Sequence, residues 1–190
     1  LSALDTHLKW QIETALREIL TMQDISAILV THDRDEAFRI AQEIATVDRG
    51  QLTPPMDKHE LFRNPGTRAA TTLTGCKNIS AAHRVDETHV AATDWGITLA
   101  VTDDVTDAHH IAIRAHYFVP VQEDGENVFT PQIAEIIEST FSMIVMLRFA
   151  DGAHRVRWEV DKPAWDALRV SENAALRICL PPEALMLLRD

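Results

Sequence analysis

The sequence predicts two structural classes in one chain: an α/β segment over residues 1–74, then an all-β domain over residues 75–190. In the first part, helical apolar spacing is followed by an unbroken apolar run at residues 25–30. Such a run is typical of a buried strand in a parallel sheet. In the second part, short β-rich runs are separated by polar turns, which is typical of a small barrel or sandwich.

Composition excludes several classes of partner. The chain has 18 Lys and Arg against 29 Asp and Glu, a formal charge of −11, so most of its surface would repel a phosphate backbone. No apolar stretch approaches the roughly 20 residues of a membrane helix, and no basic-then-apolar signal opens the chain. Cys76 and Cys179 have neither disulfide-framework nor metal-binding spacing. We therefore expect no nucleic acid, no membrane insertion and a reducing cytoplasm.

The first predicted helix spans about five turns. Its apolar residues recur at steps of three and four, as in an amphipathic helix: Leu4, Leu8, Ile12, Ala15, Leu16, Ile19 and Leu20. Ser2 and Asp5 have the spacing of a capping box at its start, which is the structural explanation of these two residues.

His32 follows the apolar run, within the sequence Thr31-His32-Asp33. Ligands of open α/β sheets lie outside the carboxyl ends of the strands, so His32 is placed where a ligand would bind. Asp33 is predicted to cap the next helix, with Glu36 closing a capping box. A hydrogen-bonded structural histidine is the competing interpretation of His32.

The rest of the first part predicts a βαβ-type tail with small helices. Residues 44–47 predict a strand and residues 48–50 a turn. Asp57 is predicted to cap a short helix that ends at Phe62, and residues 67–73 predict another helix.

Three stretches near the end of the second part predict a strand, the turn before it and a terminal helical turn. Residues 155–160 alternate strictly between apolar and polar side chains, as in a half-buried strand. Residues 150–153 predict the hairpin turn before that strand. Residues 183–188 predict a terminal helical turn.

Residues 2–5 and 30–33 together resemble the D-loop and the histidine switch of ABC-type ATPases, the motor subunits of ABC transporters. The turn at residues 48–52 matches the family, and residues 60–65 match the pattern that closes the nucleotide-binding domain of importer ATPases. The resemblance implies that residues 1–74 are the C-terminal remnant of a P-loop ATPase domain.

The same resemblance implies site residues. His32 would be the catalytic residue that reaches the γ-phosphate and the attacking water. Ser2 and Asp5, with His32, would bind the ATP cofactor, and Ser2 and Asp5 would couple the two halves of an ATPase homodimer.

ATP hydrolysis also needs a glycine-rich phosphate cradle with a lysine and an acidic residue for Mg²⁺. The chain contains no Gly-x-x-x-x-Gly-Lys-Ser/Thr sequence. We therefore expect ATP and Mg²⁺ to bind the full-length protein, of which this is the C-terminal part. The fragment alone is expected to hold no cofactor and to be inactive.

Residues 75–190 resemble the regulatory domain fused to importer ATPases, an OB-like barrel related to small molybdate-binding domains. Residues 113–116 stand where those domains have an Ile-Arg-Pro type motif, and residues 75–80 look like the junction in molybdate and sulfate transporter ATPases. Two departures are visible: residues 171–173 replace a Gly-Asp turn, and Pro181-Pro182 replaces a lysine.

The resemblance therefore implies an ATP-binding motor subunit of an ABC importer for an oxyanion such as molybdate or sulfate. Its expected partners are a second copy of the subunit and the membrane permease subunits, at the cytoplasmic face of the membrane. The alternative is an oxyanion-binding sensor or storage module without motor function.

Other polar residues have simpler interpretations. Arg114 lies inside a predicted strand, where a cation needs a partner, so it forms either a buried ion pair or a contact with an anion or another subunit. His109 and His110 predict a solvated loop rather than a metal site. Trp158 and Trp165 are predicted to lie in the core and at its rim. Three aspartates predict a surface turn rather than a calcium loop: Asp103, Asp104 and Asp107.

Overall fold

The structure is a computed structural model that describes residues 6–23, 25–149, 152–168 and 176–190. It contains two compact units, Leu1–Arg63 and Asn64–Asp190. The predicted domain boundary after residue 74 stays a prediction.

The described part of the first unit contains three helices and four two-residue strands. Its described elements are α1 (Thr6–Gln23), α2 (Arg34–Ile40), β1 (Glu43–Ile44), β2 (Val47–Asp48), β3 (Gln51–Leu52), β4 (Met56–Asp57) and α3 (Lys58–Arg63). β1 pairs with β4 and β2 with β3, both antiparallel. The predicted turn between β2 and β3 is confirmed, because Arg49 and Gly50 have φ of 48° and 79°, as a two-residue hairpin turn requires.

The helices of this unit begin largely where the sequence predicts. The Asp57 carboxylate accepts hydrogen bonds from the amides of His59 and Glu60 at 2.8 and 3.2 Å, which confirms it as the cap of α3. α1 confirms the predicted long helix, but much of its apolar surface is exposed: the exposed fraction is 61% for Trp10 and 85% for Met22.

The prediction of a buried strand at residues 25–30 is wrong. The segment belongs to no strand, and Ile28 and Val30 are 96% and 92% exposed. A strand persists only where neighbouring strands satisfy its backbone N–H and C=O groups. Among the described residues of this unit the strands form only antiparallel pairs, so no parallel sheet is available to this segment.

The second unit is mostly β, as predicted. Its described elements are α4 (Arg68–Leu73), β5 (Asn78–Arg84), β6 (His89–Ala92), β7 (Ile97–Ala100), β8 (His110–Ile113), β9 (Val119–Pro120), β10 (Val128–Phe129), β11 (Gln132–Glu138), β12 (Ser142–Arg148), β13 (Val156–Asp161), α5 (Lys162–Leu168), β14 (Ile178–Cys179) and β15 (Leu185–Leu188). The predicted helix at residues 67–73 is confirmed as α4, which the Thr67 side chain caps by accepting from the Ala70 amide.

In the described part of the second unit, three antiparallel sheets surround the main core. Their strand orders are β15-β8-β5-β6-β7, β11-β12-β13 and β10-β14-β9. Large side chains with less than 2% exposure fill the core between them, including Trp95, Phe149 and Trp158. Trp165 is partly buried and its ring centroid lies 5.9 Å from that of Trp158, which confirms the predicted core and rim positions.

The two predictions for the last part of the chain, a half-buried strand and a terminal helical turn, have different outcomes. β13 confirms the half-buried strand, since Val156 and Trp158 face the core; Ala150 and Asp151 of the predicted turn lie outside the described residues. The predicted terminal helix is wrong. Only Pro182–Ala184 forms a short 3-10 helix, and β15 then pairs with β8. All four β15 side chains are buried, so the segment shows no strand-like alternation.

Arg114 makes hydrogen bonds within this unit. Arg114 is half-buried, and its Nη1 and Nη2 atoms donate to the carbonyl and hydroxyl oxygens of Thr74 at 3.0 and 3.3 Å. Its interpretation as an ion-paired or ligand-binding residue stays a prediction. Among the described residues, no three His, Cys, Asp or Glu side chains are grouped closely enough to hold a metal ion.

Gly152 lies against the backbone of Trp95, at the start of the loop into β13. A Cβ at this position would stand 2.8 Å from the Trp95 carbonyl carbon. We expect Gly152→Ala to lower the free energy of unfolding by about 1–3 kcal/mol, since overpacked sites shift the backbone at such a cost. The matched control is Gly125→Ala, whose Cβ would meet only the Val128 side chain at 3.5 Å. Equal urea midpoints for the two variants would contradict this packing.

Candidate functional site

The predicted site residues fall in two groups. Ser2 and Asp5 lie outside the described residues. His32 is exposed and lies between two half-buried residues, Thr31 and Asp33, immediately before α2. The structure therefore shows the surroundings of His32 alone.

Asp33 fixes the backbone after His32. Its Oδ1 accepts hydrogen bonds from the amides of Asp35 and Glu36 at 3.0 and 3.1 Å, so Asp33 caps α2 as predicted. Its Oδ2 accepts from Nζ of Lys9, on α1, at 2.5 Å. The Lys9 ammonium, followed by the Glu36 amide, lowers the pKa of Asp33 from 3.8 to about 2. The carboxylate is therefore ionised at neutral pH.

Thr31 fixes the backbone before His32. Its hydroxyl donates to Oε2 of Glu36 at 2.5 Å and accepts from the Asp33 amide at 3.0 Å. The predicted capping box is thus closed through Thr31: Glu36 reaches the Asp33 amide by way of the Thr31 hydroxyl. Glu36 is only 4% exposed, and its Oε1 has no hydrogen-bond partner in the described part of the chain.

A second ion pair joins α1 to α2. Nε and Nη2 of Arg39 donate to the two carboxylate oxygens of Glu13 at 2.7 and 3.0 Å. The Arg39 hydrogen bonds lower the pKa of Glu13, which is 4% exposed. Because such two-point Arg–carboxylate pairs fix orientation as well as distance, α1 holds α2, and hence the end of the His32 segment, in place.

Sequence patterns missed this support. Lys9 and Asp33 are 24 residues apart, and Glu13 and Arg39 are 26 apart, so no local spacing connects them. Lys9 and Glu13 lie one turn apart on the same face of the amphipathic helix α1, but nothing in the sequence identifies Asp33 and Arg39 as their partners.

An aromatic group packs α2 against α3. The Phe38 ring centroid lies 4.8 Å from that of Phe62 and 5.3 Å from that of His59, each edge-to-face. Nζ of Lys58 lies 5.3 Å from the Phe38 centroid and donates to the Phe38 carbonyl at 2.9 Å. These contacts join α2 to α3.

The site therefore combines a fixed backbone with a free ring. Both neighbours of His32 are tied by charged or hydroxyl side chains, while the imidazole is open to solvent. An imidazole held in this way can donate to or accept from a bound oxygen without a large entropic cost of ordering the chain.

The relatives of the sequence include ATP-binding proteins of importers. The chain is 30% identical over 185 residues to a spermidine/putrescine import ATP-binding protein of Rubrobacter xylanophilus, covering 93% of this chain and 49% of that protein. It is 28% identical over 137 residues to an Fe(3+) ions import ATP-binding protein of Haemophilus influenzae, covering 71% and 39%. It is 22% identical over 193 residues to a sulfate/thiosulfate import ATP-binding protein of Mannheimia succiniciproducens, covering 99% and 53%.

The chain is therefore related to the ATP-binding subunits of ABC importers, as its D-loop-like and switch-like sequences indicate. It spans about half the length of the curated relatives it matches, or less. No family model matches the sequence.

The solved structures with partial similarity include a molybdate-binding protein. The cytoplasmic molybdate-binding protein ModG with molybdate bound matches with a TM-score of 0.45 and 14% identity, over 60% of this chain and 96% of that chain. The likeness is too distant to indicate what this chain binds. None of the helices in the described part of the chain is both long and apolar enough to cross a membrane.

Proposed function

We propose that this chain is part of the ATP-binding motor subunit of an ABC importer. In the proposed cycle ATP closes a homodimer of the subunit and hydrolysis reopens it. The observation that carries the proposal is the 30% identity over 93% of the chain to an importer ATP-binding protein. Because the chain has no phosphate cradle of its own, ATP and Mg²⁺ bind in the full-length subunit.

His32 is the proposed switch residue, which contacts the γ-phosphate and the attacking water. Ser2 and Asp5 are the proposed contacts across the dimer, beside the nucleotide. The exposed ring of His32 and its fixed backbone support this role, since a nucleotide can approach the ring from solvent.

The exposed apolar segment at residues 25–30 also supports the proposal. Side chains such as Ile28 and Val30, more than 90% exposed, cost free energy in water. In the full-length subunit, residues outside this chain would cover these side chains and remove them from water.

The second unit is the proposed regulatory barrel, OB-like in form, which modulates the ATPase cycle. The proposed partners are the membrane permease subunits, which place the protein at the cytoplasmic face of the membrane. The proposed cargo is molybdate or sulfate, on the strength of residues 75–80 and of the relative named for sulfate and thiosulfate, whose match covers 99% of this chain.

Cargo-stimulated ATP turnover tests the proposal. In the full-length subunit assembled with its permease in vesicles, we expect sulfate or molybdate, presented with the cognate binding protein, to stimulate ATP turnover severalfold. Spermidine and Fe³⁺ serve as matched controls, because two of the relatives are named as import proteins for these compounds.

Two outcomes would contradict parts of this proposal. If only spermidine or Fe³⁺ stimulated ATP turnover, the assignment of an oxyanion cargo would be wrong, but the proposed role as an importer motor subunit would stand. Absence of ATP turnover in the assembled complex, together with calorimetric binding of molybdate to the present chain, would instead identify an oxyanion sensor or storage module.

A further inference from the structure

We propose that Glu36 is a positioning residue for His32 and acts through the hydroxyl of Thr31. The inference rests on the proposed function, because it gives His32 its role in ATP hydrolysis. Glu36 itself touches no reacting atom in this scheme.

The contacts form a closed loop around His32. Glu36 lies in the first turn of α2, and its Oε2 accepts from Thr31 at 2.5 Å. The same hydroxyl oxygen accepts from the Asp33 amide at 3.0 Å. Since Asp33 also accepts from the Glu36 amide at 3.1 Å, the backbone on both sides of His32 is joined to one helical turn.

The hydroxyl of Thr31 is used twice in this loop. Its single proton goes to Glu36, which leaves its lone pairs for the Asp33 amide. A carboxylate acceptor makes the Thr31 bond short and strong and fixes the rotation of the hydroxyl. Without Glu36 that hydroxyl could turn its proton toward the Asp33 amide and lose the second bond.

Burial indicates that stability alone does not explain Glu36. The residue is 4% exposed, and its Oε1 lacks a hydrogen-bond partner in the described ranges. A buried oxygen without a partner costs folding free energy, which an aliphatic side chain of similar size would avoid. The presence of the Glu36 carboxylate despite this cost indicates that its hydrogen bond from Thr31 is needed for function.

The other end of the segment is tied independently. Lys9 holds the Asp33 carboxylate from α1, whereas Glu36 holds Thr31 from α2. Loss of Glu36 should therefore loosen the Thr31 side of His32 and leave the Asp33 cap of α2 in place.

Amide hydrogen exchange in the 190-residue chain tests the positioning directly. We expect Glu36→Leu and Thr31→Val each to raise the exchange rate of the Asp33 amide about tenfold, the effect of losing one hydrogen bond. Glu36→Gln and Thr31→Ser should stay near the wild-type rate, because each keeps the Thr31 contact. Asp35→Asn, an exposed change in the same turn, is the matched control.

Unchanged exchange at Asp33 in both Glu36→Leu and Thr31→Val would overturn the inference. Thr31→Val replaces one hydroxyl by a methyl group of similar size at a half-buried site, so it provides a folded variant even if Glu36→Leu disturbs α2.

ATP turnover of the full-length subunit separates this inference from the proposed function. We expect Glu36→Leu to lower kcat about tenfold at unchanged nucleotide affinity, and Glu36→Gln to restore it. If His32→Ala lowers turnover and Glu36→Leu does not, the positioning role is wrong. If His32→Ala has no effect, the role of His32 is wrong, and the exchange experiment still decides whether Glu36 positions its backbone.

Discussion

Replacement of His32 by alanine in the full-length subunit is expected to lower ATP turnover by a factor of about 10² or more. A side chain that aids proton transfer or orients the attacking water contributes roughly 10²–10⁴-fold. Because the ring is exposed and makes no contribution to a core, the substitution should leave folding intact. The measurement is the steady-state ATP hydrolysis rate of the assembled transporter at saturating ATP.

A matched histidine variant separates the proposed chemistry from general damage. His154 is exposed and belongs to the second unit, so His154→Ala should retain wild-type turnover. Nucleotide affinity should change little in either variant. Wild-type turnover in His32→Ala would show that the switch has been assigned to the wrong residue.

Replacement of Trp158 by alanine is expected to lower the free energy of unfolding of the second unit by about 3–5 kcal/mol. Trp158 is 1% exposed and belongs to the one large core of this unit. Removal of the indole leaves a cavity that β-sheets on both sides cannot fill without moving. Urea denaturation followed by far-ultraviolet circular dichroism measures the loss.

Trp165→Ala is the matched control for Trp158→Ala. Its ring packs on Trp158 from the rim and is only partly buried, so its loss should be less than half as large. Trp158→Phe, which keeps an aromatic ring, is the second variant if the alanine variant does not fold. Equal losses at positions 158 and 165 would contradict the assignment of core and rim.

The second unit was largely predictable because its strands alternate. Residues 155–160 alternate in a way that only a half-buried strand explains, and β13 has Val156 and Trp158 inside. The four residues of β15 could not be assigned in the same way. They are all apolar and all buried, and a run without periodicity fits a helical turn as well as a strand.

The first unit was less predictable because a strand depends on its neighbours. The apolar run at residues 25–30 has the composition of a buried strand, yet it forms no strand with the described residues and Ile28 is exposed. Apolar composition indicates that a segment can form a buried strand if other residues cover it. Whether it pairs depends on residues far away in the sequence.

The candidate site was predictable only where its contacts are local. Asp33 capping α2 follows from spacing along the chain. The ties from Lys9 and Arg39 join residues far apart in sequence, and Thr31 takes the place expected for the direct contact between Glu36 and the Asp33 amide. Tertiary packing decides such contacts, and sequence spacing carries no signal for them.

The most direct measurement of the central claim is paramagnetic broadening of the His32 ring resonances by Mn²⁺–ATP in the full-length subunit. With the metal at the bound phosphates, the account predicts strong broadening at His32, reversed when Mg²⁺ replaces Mn²⁺. Sharp, unshifted His32 resonances in subunit saturated with Mn²⁺–ATP would contradict the claim that this imidazole faces the nucleotide.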